Sequence, residues 1–585
     1  MNKNHYLCTR AGVFTNPSHR RIFTYNIITM NIYPLFTTAL AILCLALSYS
    51  QALACTNLLV GKAASADGST IISYAADSHT HYGILQLLPA ADHKPGEMRE
   101  IRDWDSGELH GYIPEAAHTY SVVGNINEHQ LTIAESTWGG RHELADTTEQ
   151  AIMDYGSLIY VTLQRAKTAR EAVKIMTDLV EKYGYNSEGE SFSIGDPNEI
   201  WVMDMIGKGG KEKGAVWVAM RLPDDCIGGH ANQARIYKFP LNDKENCLYS
   251  KDVISFARKM GYFKGKDADF EFARAYAPAD FGTLRGCDAR VWSYFNRFKA
   301  GMDRYLPFIA GKKGAEVMPT WVKPDRKVSV RDVQNMMRDH FEGTPFDMTK
   351  DPGATNYWGV PYRWRPMEFT VDSTKYCMER AIATQQTGFV FVNQMRAWLP
   401  ASIGGVSWFG VDDANTAVFV PIYCCSTEVP DSYASGKADL YNFSFDAAFW
   451  VNNLIANFVY SRYSVMIGDV RRVQTEIEDR FERNQPVVEV AAQALIQKDP
   501  SAAVEYLTNY SINNAQKATQ RYQDLAKYLF VKYMDGNVKK EKDGQFLRNA
   551  HGHPVSPNWP GYTQDYYNTV VAGSGDRLKV VEPEK

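Results

Sequence analysis

The amino-acid sequence predicts a layered α+β protein, on three observations. Strand-like runs fill residues 56–74 and 120–134. A helical block over 151–183 gives way to strand patterning between 192 and 219. A further strand-like stretch, 388–423, precedes helical periodicity over 444–533. Strands, then helices, then strands and helices again belong to sheets covered by helical layers.

Each element rests on a local signal. Thr56-Asn57-Leu58-Leu59-Val60-Gly61 reads as a first strand, Asp67-Gly68-Ser69 as a turn, and Thr70-Ile71-Ile72-Ser73-Tyr74 as the returning strand. Residues 120–124 and 130–134 read as a second pair around a tight turn at Asn127-Glu128. Helical spacing from Ala151 to Tyr183 is interrupted at Lys167-Thr168-Ala169, where a cap is expected. Residues 192–203 and 215–219 return to strand patterning, and 237–365 mixes loops and helices. Helical spacing is clearest over Asp469–Arg483 and Ala491–Gln497. The tail beyond Asn537 is polar, rich in Gly and Pro, and expected to be irregular. The expected divisions are a leader (1–54), a main domain (55–443), a helical region (444–536) and the tail (537–585).

Bulk composition is that of an ordinary globular protein: 585 residues, 45% hydrophobic, 22% charged, net charge −4. That charge gives no electrostatic footprint for nucleic acid. The apolar run from Pro34 to Ser48 is shorter than the roughly 20 residues that span a bilayer, and reads as the core of a secretory signal. Translation starting at Met30 would make that signal compact. Ala52 and Ala54 supply the small residues that signal peptidase favours, so cleavage would leave Cys55 first in the mature chain. The expected location is a bacterial periplasm or the cell exterior, with no membrane-spanning segment after cleavage.

A cysteine at a free N-terminus carries a thiol and an amine on adjacent carbons. The thiolate is the reactive form, and an α-amine titrating near ~7.7–8 can accept the thiol proton. One residue is then both nucleophile and base. Two other readings stay open: a lipid anchor on Cys55, and a structural cysteine. Seven cysteines follow the leader (Cys55, Cys226, Cys247, Cys287, Cys377, Cys424, Cys425), so at least one is unpaired in a monomer. None has zinc-type CxxC spacing. Asp77, His79 and His81 alternate as metal ligands on a strand can, but no distant partner is evident.

The segment Cys55–Thr70 (CTNLLVGKAASADGST) closely resembles the opening of the dipeptidase A and secernin family of N-terminal nucleophile hydrolases. Further matches run in order: residues 127–131, Ala134-Glu135-Ser136-Thr137, 165–172, Ala231–Ile236 and His340–Met348. The resemblance implies an αββα sandwich with additional C-terminal helices. It also implies a cysteine dipeptidase that hydrolyses short peptides through a thiol acyl-enzyme without metal or other cofactor. Cys55 is then the nucleophile, and Asp77 the carboxylate that orients its amine; a loop-capping role for Asp77 is the alternative. Thr137 and Asn232 become candidates for holding the oxyanion. Arg235 would take the substrate carboxylate, and Glu135, with Asp77 and Asp347, could meet the substrate amine. Related acylases carry an arginine three residues before the aspartate; here that position is Tyr74. An acylase acting on another amide is the alternative enzyme. Oligomeric state and side-chain preference are not legible.

Overall fold

The computed structural model describes residues 55–581 apart from 146, 147, 149, 211, 356 and 357, so the expected signal and its expected cleavage junction up to residue 54 lie outside the described residues. Its main elements in chain order begin with β1 (Thr56–Val60), β2 (Thr70–Asp77) and β3 (Thr132–Trp138). Helices α1 (Tyr155–Leu163) and α2 (Ala169–Tyr183) follow, then β4 (Gly189–Gly195), β5 (Ile200–Gly207), β6 (Ala215–Arg221) and β7 (Ile227–His230). Next come α3 (Ala289–Phe298) and α4 (Val330–Met337), then β8 (Thr387–Met395), β9 (Val406–Val411) and β10 (Val420–Tyr423). Three helices close the core: α5 (Ala448–Tyr460), α6 (Tyr463–Ile496) and α7 (Pro500–Tyr533).

Two antiparallel sheets form the centre. One has seven strands, ordered Trp321–Val322, β7, β1, β2, β8, β9, β10. The other has eight, running from Cys247–Tyr249 through β6, β5, β4 and β3 to the short strands Ile126–Asn127, Val122–Val123 and Leu87–Leu88. β3 packs across β1 and β2, which brings the sheets face to face. α1 and α2 cover the outer face of the eight-stranded sheet, while α3, α4 and α5–α7 cover the seven-stranded one. The observed architecture is therefore αββα, and the long C-terminal helices share one hydrophobic core with the sheets.

Both central strands are buried on both faces, as apolar runs rather than alternating patterns require. Where polar groups cross between the sheets they are paired. His230 shares hydrogen bonds of 2.6 Å with Ser136 on one ring nitrogen and 2.6 Å with Ser193 on the other. Burial pushes this imidazole down to about 3, so it is a neutral bolt between the layers. Asn393 donates to the Thr132 hydroxyl (2.6 Å) at another point of the same interface.

The interruption expected at 167–169 is the start of α2: the Thr168 hydroxyl accepts from the Glu171 amide and Glu171 accepts from the Lys167 amide. The turn expected at Asn127-Glu128 lies one step later. Asn127 ends its strand, and its side-chain oxygen accepts from the His129 and Leu131 amides. The tail carries a short hairpin (541–546) and a helix (Gln564–Ser574) where irregular chain was expected.

Candidate active site

The register of β1 against β2 places the site. Thr56 pairs with Ala75, so Cys55 and the end of β2 at Asp77 reach past the last paired residue. Cys55 is 3% exposed and its sulfur lies against the facing sheet. Its Sγ is 3.3 Å from Glu135 Oε1 on β3 and 3.5 Å from the Tyr74 hydroxyl on β2. Tyr74 also donates to the same Glu135 oxygen, which closes a three-membered cluster of thiol, phenol and carboxylate. The Asn57 side chain donates to the Glu135 backbone carbonyl and fixes that strand against β1.

Burial raises the Cys55 thiol well above its usual range, and the carboxylates of Glu135 and Asp77 push the same way. Hydrogen bonds from Tyr74 and from the Asp77 backbone act in the opposite sense by favouring the thiolate. Glu190 stands opposite Thr137 across β3–β4, on the same sheet face as Glu135. Burial and then the neighbouring Glu135 push its carboxyl well above the usual carboxylate range.

Two buried arginines organise the other side. Arg290 on α3 donates from Nη1 to the Cys55 carbonyl (2.9 Å) and the Thr56 hydroxyl (2.7 Å). Its Nη2 donates to the Ala231 carbonyl (3.1 Å) and Asn232 Oδ1 (2.9 Å). This fork grips the backbone at Cys55 from both directions. Arg380 pairs with Asp77 at 3.3 Å and donates to Asn232 Oδ1 at 3.3 Å. Asp77 also accepts from the Thr387 hydroxyl at 2.6 Å. Burial pushes Asp77 up to about 7 and Arg380 down to about 9, in each case outweighing the attraction between them.

Of the residues expected from sequence, Cys55, Asp77 and Glu135 line one pocket. Asn232 lies behind it in a left-handed backbone conformation (φ 59°), donating to the Thr137 carbonyl at 2.6 Å. The Thr137 hydroxyl faces Glu135 at 3.5 Å rather than the pocket. Arg235 is turned away: its guanidinium is 1% exposed and bound to Asp288 and the Pro319 carbonyl, which leaves it no reach to a substrate. Asp347 caps its own loop through the Thr349 and Gly343 amides. His81 lines the pocket, but burial pushes it down to about 4. All seven described cysteines are free thiols.

Sequence reading missed Arg290, Arg380, Tyr155 and Asp105. Arg290 left one trace, a cation among the apolar residues that open its helix. The others come from loops and a helix start whose approach depends on tertiary packing. Asp154 caps α1 and also accepts from the Trp104 amide at 3.0 Å, which docks the 98–114 hairpin against the pocket. Gly156 makes this docking possible, because a Cβ there would lie 2.5 Å from the Trp104 side chain.

The sequence model of peptidase family C69 matches residues 54–86 and 84–476. A probable dipeptidase of Salmonella dublin is 28% identical over 397 residues, covering 64% of this chain and 82% of its own. Dipeptidase A of Lactobacillus helveticus is 25% identical over 453 residues, covering 73% and 85%. Among solved structures, penicillin V acylase from Agrobacterium tumefaciens is similar at 10% identity and a TM-score of 0.27, over 63% of this chain and 86% of its own.

Proposed function

Because this chain belongs to peptidase family C69, we propose that it is an exported cysteine dipeptidase whose nucleophile is the mature N-terminal Cys55. Removal of the leader frees the Cys55 amine. That amine takes the thiol proton, and the thiolate adds to the scissile carbonyl. Collapse of the tetrahedral intermediate expels the second residue's amine, which takes the proton back. Water then enters by the same route and releases the first residue.

The observation that carries this reading is the 3.3 Å separation of Cys55 Sγ and Glu135 Oε1 within one pocket. A dipeptide's ammonium lies two bonds, about 2.5 Å, from its scissile carbonyl carbon. With attack from roughly 3–3.5 Å, that ammonium must sit a few ångströms from the sulfur. Glu135 is the carboxylate at that distance, so it anchors the substrate's free amine. Asp77 with Arg380 orients the freed Cys55 amine. The near-complete burial of Cys55 also argues against a lipid anchor, since a thioether-linked diacylglycerol has no room inside the sheet interface.

The test pairs intact mass and N-terminal sequencing of the secreted protein with hydrolysis of Ala-Ala and N-acetyl-Ala-Ala. A free Cys55 terminus and cleavage of the unblocked dipeptide alone are expected. A diacylglyceryl adduct, or preference for the acetylated substrate, would overturn the assignment.

A further inference from the structure

We infer that the pocket beside Cys55 selects a positively charged first side chain, read by Asp105 against the ring faces of Trp104 and Tyr160. This rests on the dipeptidase reading above and names its substrate class.

The walls of the pocket are aromatic and acidic. Trp104 and Tyr160 stack with centroids 4.7 Å apart, and His81 and Phe389 continue the wall. Among the described residues, neither lysine nor arginine lines it. Of its carboxylates, Asp77 is matched by Arg380 and Glu135 lies at the thiol. Asp105 has no cation within ion-pair distance among the described residues. It sits on the exposed rim of the 98–114 hairpin with its carboxyl turned inward, accepting from the Tyr155 hydroxyl at 3.2 Å on each oxygen. Tyr74 adds a phenol where a guanidinium would neutralise the wall.

Geometry sets the occupant. With the substrate's ammonium at Glu135 and its carbonyl at Cys55, the first side chain leaves the same Cα toward the remaining lining, namely Tyr155, Trp104 and Asp105. A lysine stem can lie along the aromatic faces, with its ammonium attracted both by the rings and by Asp105. An acidic side chain would meet like charge.

The test compares kcat/KM for Lys-Ala, Leu-Ala and Glu-Ala in the mature enzyme, and binding of Lys-Ala and Leu-Ala to the Cys55→Ala protein by calorimetry. Lys-Ala is expected to lead Leu-Ala about tenfold or more, with Glu-Ala last. Asp105→Asn should cut the lysine preference about tenfold, as loss of one charged hydrogen bond does. Asp105→Glu should restore part of it, and Glu108→Gln on the same hairpin should leave the preference unchanged. Equal losses for Lys-Ala and Leu-Ala in Asp105→Asn would overturn the assignment, as would equal binding of the two by the Cys55→Ala protein. Preferential lysine binding without hydrolysis by the wild type would retire the dipeptidase reading and leave the pocket assignment standing.

Discussion

The Tyr74 hydroxyl stands 3.5 Å from the Cys55 sulfur while donating to Glu135, so one phenol links the thiol to the carboxylate opposite it. Tyr74→Phe removes a hydrogen bond that favours the thiolate. The midpoint of the pH profile for Cys55 alkylation by iodoacetamide should move upward. At neutral pH kcat/KM should fall about tenfold, the scale of one charged hydrogen bond. An unmoved alkylation midpoint would remove Tyr74 from the proton inventory of the site.

Cys55→Ser keeps the shape but replaces a polarisable thiol with a hydroxyl that the α-amine deprotonates poorly. Dipeptide turnover should drop by at least about 10³-fold, with the protein still folded by circular dichroism. Retained activity would place the nucleophile elsewhere.

Activity should rise as the pH passes about 7, where Asp77 ionises and its pair with Arg380, which stays protonated across the neutral range, becomes fully charged. The sign for stability differs. The folded-state value for Asp77 lies above the ~3.9 of an unfolded chain, so the native state holds this proton more tightly. That contribution is complete below about pH 4 and is lost as the pH rises through about 7. Asp77→Asn should flatten the acid limb of the rate profile and weaken the pH dependence of urea midpoints between pH 5 and 8.

Arg290→Lys retains a charge but not a fork. Four acceptors, including the Cys55 carbonyl and Asn232, cannot be met by one ammonium. The expected signature is a kcat loss of about 100-fold with a smaller change in KM. A KM effect alone would instead make Arg290 a substrate contact.

Glu478 tests the scaffold away from the chemistry. From α6 it accepts from Arg338 (2.5 Å), Arg331 (2.6 Å) and the Phe419 amide (3.0 Å), and it is 2% exposed. Glu478→Gln leaves buried guanidinium charge uncompensated and should cost about 3–5 kcal/mol in chemical denaturation. A change below about 1 kcal/mol would show that the helices contribute little to holding the sheet edge.

Much of this arrangement was legible in the chain. The β1–β2 hairpin reads directly from its apolar runs and the Asp67-Gly68 turn, and Thr168 marks the start of α2. Cys55 could be named from the small residues before it, and Asp77 and Glu135 only from the family resemblance. The pairing of β2 with β8 could not, since about three hundred residues intervene and local signals carry no pairing information. Arg235 misled for a related reason: from sequence, a guanidinium that binds Asp288 looks the same as one that binds substrate. The hairpin carrying Asp105 owes its position to Asp154 and Gly156, whose roles appear only once Trp104 is packed on them.

The single residue of chain between the clamp at Thr56 and the reactive sulfur makes the central sheet a ruler for the chemistry. One residue inserted between Cys55 and Thr56 would carry the thiol about 3.3 Å along the strand and turn it to the opposite face. Glu135, Tyr74 and the pocket would then lie behind it. On the proposed mechanism the leader must likewise be cut to one peptide bond: a cut one residue early leaves the free amine on Ala54, away from the thiol, and a cut one residue late removes the thiol with Cys55.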